Sequence, residues 1–174
     1  MTTIATPRLF LCPHEPWDAD ALVRGLNNFN VAQWTARVPH PYGMADAQAS
    51  LLMCRDQTPD VLRLAITRTS QLIGGIGIEG GEIGYWLAEE QWGKGYGSEA
   101  AAAVTDYAFE AMELPSLQAR YRIGNAASRR ILLGLGFAEL GEIKSHSKAT
   151  GGETVVMRLE LSRAAWEQAR ERRR

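Results

Sequence analysis

EIGYWLAEEQWGKGYGSEAAAAVTDYAFEAM, residues 82–112, is the stretch whose reading decides the fold. Glu82 to Leu87 is β-branched, aromatic and compact, which suits a half-buried strand. Ser98 to Met112 is alanine-rich and holds neither glycine nor proline, so it propagates as a helix. Ala101, Val104, Ala108, Ala111 and Met112 recur at three- and four-residue spacing and predict one buried stripe. Between strand and helix lies Trp92-Gly93-Lys94-Gly95-Tyr96-Gly97. Three alternating glycines permit positive φ and remove side chains, so a ligand can come close to the backbone. The following helix adds unpaired N–H groups and a positive dipole end. Such a turn suits a phosphate or pyrophosphate gripped by successive main-chain donors. The plainer alternative is a flexible connection with Gly97 near a helix N-cap.

Upstream, Val61 to Thr67 alternates, with Leu62, Leu64 and Ile66 on one face and Arg63 and Thr67 on the other. Leu72 to Ile78 is a second strand before Glu82–Leu87, and the short turns between them make consecutive antiparallel hairpins. Thr6 to Cys12 reads as an opening strand, Asp18 to Asn27 as a first helix and Ala45 to Gln57 as a second, with Ala49, Leu51, Leu52 and Met53 turned inward. Pro39 and Pro41 keep residues 31–43 a loop, in which Trp34 and Tyr42 are either pocket residues or core anchors. Downstream come a strand at Ser116–Ile123, a helix at Ala126–Leu135, and strands near 137–145 and 153–161. Ser162 is placed to cap a last helix. The order is β-α-α-β-β-β-α-β-α-β-β plus a C-terminal helix, an α+β arrangement rather than a repeated βαβ array.

Length fits one domain over 1–174 with a sizeable core, and a formal net charge of −1 gives no expectation of nucleic acid as a partner. No apolar run approaches the length of a membrane span, and MTTIATPRLFL lacks the pattern of a secretion signal, so the expected location is cytoplasmic. Cys12 and Cys54 show no bridging spacing, and His14, His40 and His146 are scattered, so no metal site is expected. The basic run Arg170–Arg174 reads as a solvated helix end favoured by the dipole. Apolar residues of the last strand and helix offer a surface for a homodimer.

Gly75-Ile76-Gly77-Ile78-Glu79-Gly80 matches G-x-G-x-x-G letter for letter, but a strand follows it, and the dinucleotide fingerprint needs a helix start. Gly95-x-Gly97-x-x-Ala100 does open a helix, yet three antiparallel strands precede it and the next strand ends in Arg120, Tyr121, Arg122 and Ile123. An NADP enzyme stays as the weaker alternative, with an arginine taking the 2′-phosphate. Gly93-Lys94 lacks the Ser or Thr of a Walker A loop, and no G-x-S-x-G or H-E-x-x-H stretch is present.

Ile83-Gly84-Tyr85-Trp86-Leu87 followed by Gly93-Lys94-Gly95-Tyr96-Gly97 resembles the acetyl-CoA signature of the GNAT superfamily of N-acetyltransferases, most nearly its RimJ/RimL-like branch. The superfamily pattern is Arg or Gln, two residues, Gly, one residue, then Gly or Ala. Gly95 and Gly97 fill its end, while Trp92 stands where Arg or Gln is usual. The opening Thr6-Pro7-Arg8-Leu9-Phe10-Leu11 is similar to the start of many proteins of that branch. So is Asn125-Ala126-Ala127-Ser128-Arg129-Arg130 leading to Leu135-Gly136-Phe137, although Gly134 replaces a common lysine. The resemblance covers nearly the whole chain and implies a mixed, mostly antiparallel sheet flanked by helices.

It also implies acetyl-CoA as co-substrate and acyl transfer to an amine, as a small molecule or a peptide N-terminus. The implied cofactor-binding residues are Leu87, Trp92, Gly93, Lys94, Gly95, Tyr96, Gly97, Ser98, Asn125 and Arg130. Asn125 would bond the pantetheine arm, where the plainer reading is a helix cap. The backbone near Leu87 would polarise the thioester carbonyl, and Ser128 would protonate or stabilise the sulfur. An attacking amine must lose its proton, for which Glu82 could relay through water, the alternative being an exposed strand-end glutamate. His146 is a second base by residue type, set against a surface role. Trp34, His40 and Tyr42 are the acceptor-side candidates. The rival from another class is a CoA-binding sensor or partner module without turnover.

Overall fold

Two short strands, β1 (Ile4–Ala5) and β2 (Phe10–Cys12), open the chain in the computed structural model, which describes residues 2–55, 58 and 60–173. The strand expected over Thr6–Cys12 is therefore shortened to Phe10–Cys12, and β1 lies before it. Proline has no N–H to donate, and the turn after Thr6 closes with its own N–H donating to the Leu9 carbonyl at 2.9 Å. A 3-10 turn at Pro16–Asp18 leads into α1 (Ala19–Leu26), whose cap positions are the expected end residues Asp18 and Asn27. The expected loop at 31–43 begins with one helical turn, α2 (Phe29–Ala32), started by the Asn28 side chain accepting from Asn30 N–H at 2.9 Å.

The next helix, α3 (Met44–Arg55), corrects the expected face of the second helix; Gln57 lies outside the described residues. Ala47 and Leu51 are buried, whereas Ala49 is exposed and Leu52 and Met53 keep 63% and 53% of their surface. Small and apolar residues are spread around this helix, so periodicity alone selects no stripe and the neighbouring α1 decides.

Strands β3 (Val61–Arg68), β4 (Gln71–Glu79) and β5 (Glu82–Leu87) form the expected hairpins. The decoy glycines serve this sheet: a Cβ on Gly77 would sit 2.3 Å from the Leu62 carbonyl of β3. A 3-10 turn at Glu89–Gln91 precedes α4 (Tyr96–Glu110), then β6 (Ser116–Arg122), α5 (Ala126–Gly134), β7 (Ala138–Ser147), β8 (Gly152–Ser162) and α6 (Arg163–Arg173). Helix α4 starts at Tyr96 rather than Ser98. Its buried side is Ala100, Ala101, Val104, Ala108 and Phe109, while Ala111 is exposed beyond its end.

Among the described residues the eight strands make one sheet in the order β1-β2-β3-β4-β5-β6-β8-β7, and β5–β6 is its parallel pair. That pair is in register at Glu82–Gln118 and Ile83–Ala119 and then parts, although β5 runs on to Leu87 and β6 to Arg122. The gap falls where each strand feeds a helix N-terminus. One core lies between the sheet and α4, built on Leu64, Ile66, Ile78, Val104, Phe109, Leu117 and Leu159. A second, around Leu22, Leu26, Tyr42, Ala47 and Leu51, packs α1 to α3 on the other face. Both faces are thereby covered, and the gap runs between the two layers.

The basic end of α6 is not simply solvated. Arg170 pairs with Glu110, Arg173 with Asp106 at 3.1 Å, and Trp166 Nε1 donates to Asp106 at 2.7 Å; Arg174 lies outside the described residues. Of the apolar residues of the last strand and helix, Leu159, Leu161, Trp166 and Ala169 face the chain's own core, while Val155 is exposed. No helix among the described residues is long and apolar enough to cross a membrane.

Candidate active site

The glycine turn has the backbone that its composition predicts. Gly93 and Gly95 have φ of +73° and +79°, and Gly95 is the left-handed N-cap of α4. The first helical bond at this end is Glu99 N–H to the Gly95 carbonyl, so the N–H groups of Tyr96, Gly97 and Ser98 have no partner from the helix. Long-range contacts hold the turn. Arg8 donates from its guanidinium to the Lys94 carbonyl at 2.9 Å and to Glu99 at 2.6 Å, its backbone N–H donates to Glu99 at 2.8 Å, and Thr6 donates to Glu99 at 2.6 Å. Tyr96 is buried, and the guanidiniums of Arg8 and Arg68 lie over its ring. Burial by itself would raise the Glu99 carboxyl, but the bonds from Thr6 and Arg8 outweigh it and hold the group below its ordinary range. The stability gained from this brace is thus present above the ordinary carboxylate range and lost as pH falls through the lowered value.

Trp92 supplies no free donor: its Nε1–H goes to the Leu87 carbonyl at 2.9 Å and closes the loop of residues 87–92. Lys94 turns its ammonium to Gln91 at 3.2 Å. The other expected cofactor residues, Leu87, Gly93, Gly95, Tyr96, Gly97, Ser98, Asn125 and Arg130, line one cleft of about 1210 Å³ with Trp92.

The floor of the cleft is the β5–β6 gap. Ala88 N–H bonds the Ile73 carbonyl at 2.9 Å, which fixes the parity of the β4–β5 ladder. Alternate residues of an antiparallel strand point their N–H groups to opposite sides, so those of Tyr85 and Leu87 face away from β4, into the gap. On its far bank, Asn125 begins α5 with its side-chain oxygen accepting from Ser128 N–H at 3.0 Å. The capping role foreseen as the plainer reading is therefore present, and the side-chain NH2 is left to a ligand.

The Ser128 hydroxyl meets the Tyr85 hydroxyl at 3.0 Å across the gap. Burial pushes the Tyr85 phenol up to about 12, against the opposing pull of the Ser128 bond, so it keeps its proton at any working pH. Sequence reasoning missed Tyr85 as a functional group. Its only signal is its place two residues before Leu87, on the same strand face.

On the other sheet face, Glu82 is held by Arg120, with Nε at 2.9 Å from both carboxylate oxygens and Nη2 at 2.6 Å from one. Trp34 lines the cleft and packs beside Gly124, while Arg122 donates to the Gln33 carbonyl at 2.6 Å and anchors that loop. His146 also lines the cleft, from β7. Two expected acceptor residues are placed elsewhere. Tyr42 is a core side chain, 2% exposed, whose hydroxyl meets Ser50 at 3.0 Å. His40 is exposed and sets its ring edge-on to Phe29. A loop with two prolines gives no periodicity from which to read these directions.

Comparison with known proteins agrees with this geometry. A family model described as an acetyltransferase (GNAT) domain matches residues 8–138. The uncharacterised N-acetyltransferase p20 of Bacillus licheniformis is 30% identical over 162 residues, covering 87% of this chain and 90% of that protein. Mycobacterium smegmatis RimJ, solved with CoA-disulfide, superposes with a TM-score of 0.84 at 21% identity, over 99% of this chain and 95% of that one. The microcin C7 self-immunity acetyltransferase MccE, solved with acetyl-CoA and AMP, gives a TM-score of 0.76 at 18% identity, over 90% and 93%.

Proposed function

This chain belongs to the GNAT family of acetyltransferases, acyltransferases whose co-substrate is acetyl-CoA, and from that premise we propose that it acetylates a primary amine by direct attack. The observation that carries the reading is the meeting of the glycine turn and the β5–β6 gap in one cleft. Main-chain donors from Gly93 to Ser98 would hold the diphosphate, with Arg130 adding charge from α5. Trp92 and Lys94 act in this reading by fixing the turn. The Asn125 NH2 would bond a pantetheine carbonyl, and the Leu87 N–H would polarise the acyl oxygen as charge develops there.

Acetyl-CoA supplies the activated acyl group, so no covalent enzyme adduct is needed. As the new C–N bond forms and the C–S bond breaks, one proton leaves the nitrogen and one reaches the sulfur. In this reading Ser128, backed by the Tyr85 hydroxyl, gives the latter. Glu82 is assigned the former, through water, since Arg120 already occupies its oxygens. Trp34 remains the acceptor-side wall, and His40 and Tyr42 take no part.

Release of free CoA thiol in the presence of pooled amines tests the reading. Thiol release that needs both the enzyme and an amine supports it. Bound CoA without transfer would leave a sensor module, and thermal stabilisation by NADPH but not acetyl-CoA would favour the NADP alternative.

Two substitutions probe the parts. Ser128→Ala should lower kcat roughly tenfold with little change in KM for acetyl-CoA, because the Asn125 cap bonds its backbone and survives. Tyr85→Phe should cost about as much, and the double variant little more, since the two hydroxyls act as a unit. Arg8→Met removes a bond to the Lys94 carbonyl without touching the cleft, and should raise the acetyl-CoA Kd about fivefold by calorimetry with kcat kept.

A further inference from the structure

Besides the glycine turn, the described residues that line the cleft include four guanidiniums, of Arg37, Arg63, Arg120 and Arg122, and two carboxylates, Glu79 and Glu82. Strand alternation brings five of these together. Arg63 stands across from Gly77, Glu79 from Glu82, and Glu82 beside Gln118, which puts Arg120 and Arg122 on the same face, away from α4. Arg37 and Arg63 share Glu79 at 2.7 and 3.2 Å, and Arg120 takes Glu82. Among the described residues Arg122 enters no ion pair. Its Nη1–H is fixed on the Gln33 carbonyl at 2.6 Å, so the guanidinium is half-buried in the wall with its charge unneutralised.

The unneutralised guanidinium of Arg122 in a recessed wall repels an ammonium group, and a polycation most of all. It attracts a molecule that carries an oxyanion. The same field disfavours the protonated form of a bound amine, which is the form that cannot attack. We propose that the acceptor is an amine bearing a carboxylate or phosphate, received by Arg122, and that polyamines and other polycations are poor acceptors. This names a substrate class for the acetyl transfer proposed above and rests on that reading.

The test measures kcat/KM for matched acceptors: alanine against alaninamide, phosphoethanolamine against ethanolamine, and the C-terminally amidated peptides Ser-Asp-Ala-NH2 against Ser-Asn-Ala-NH2, with spermidine as the polycation. The anionic member of at least one pair should lead its partner and spermidine by tenfold or more; the first and third pairs report a carboxylate, the second a phosphate. Arg122→Gln should erase most of that lead, and Arg122→Lys, which keeps the charge, should restore part of it. An acetyl-CoA affinity retained by both variants would show the cleft intact. Equal rates within every pair, or a lead untouched by Arg122→Gln, would overturn the proposal while leaving acetyl transfer standing. No thiol release with any acceptor would sink the acetyl-transfer reading and this proposal with it.

Discussion

Gly95→Val should weaken acetyl-CoA binding roughly 100-fold without unfolding the chain, a loss of about 3 kcal/mol. Gly95 has a φ of +79° and a ψ of 2°, where a side chain costs about 1–2 kcal/mol and a β-branched one is worst placed. Its added Cβ would also stand 3.2 Å from Arg8 Nη2. That guanidinium is pinned to the Lys94 carbonyl and Glu99, so it cannot withdraw without releasing the turn. Relief comes by rotating the peptide out of the left-handed region, which takes a donor out of line with the diphosphate. A charge-assisted hydrogen bond lost there adds about 1.5–3 kcal/mol. Gly93→Ala is the internal comparison: its φ is +73°, but its Cβ meets nothing within 4 Å, so only the strain remains and the loss should be smaller. Calorimetry with acetyl-CoA measures both, with urea midpoints as the folding control. An affinity for Gly95→Val within twofold of the parent would remove the turn from the binding site.

Phe109→Ala should cost about 3–5 kcal/mol of stability, a fall in Tm on the order of 10 °C for a chain of this size. Phe109 is 1% exposed and stacks on Trp166 with ring centres 4.9 Å apart, and Arg163 donates to the Phe109 carbonyl at 3.0 Å. Truncation therefore opens a cavity between α4 and α6 that the clamped C-terminal helix cannot close. Leu52→Ala also truncates a large apolar side chain, on α3, yet Leu52 is 63% exposed and the change should stay within about 0.5 kcal/mol. The sequence expectation turns Leu52 inward. Equal losses for the two variants in urea unfolding would mean that α3 presents that other face to the core.

Local rules carried a large part of this architecture. Alternation over Val61–Thr67 and the short turns that follow determine the hairpins, because the period of two is written in neighbouring residues. The alanine-rich run and the glycines before it determine α4 and its cap, since backbone freedom and helix propensity are properties of individual residues. The glycine turn at one end of the cleft follows from these, and part of the family resemblance rests on the same residues.

Tertiary structure alone decided what faces it. The divergence of β5 from β6 is a relation between strands more than thirty residues apart, and no local period encodes it. The Arg8–Glu99 brace joins residues separated by 91 positions, and the Tyr85–Ser128 contact spans 43. Tyr42 and His40 left the acceptor list because the packing of α1 to α3 aims them elsewhere. The arginine-rich wall exists because strand alternation on two elements, and a loop from a third, point at one space. Residue type tells which groups can bind charge; only the assembled sheet brings them close enough to do so together.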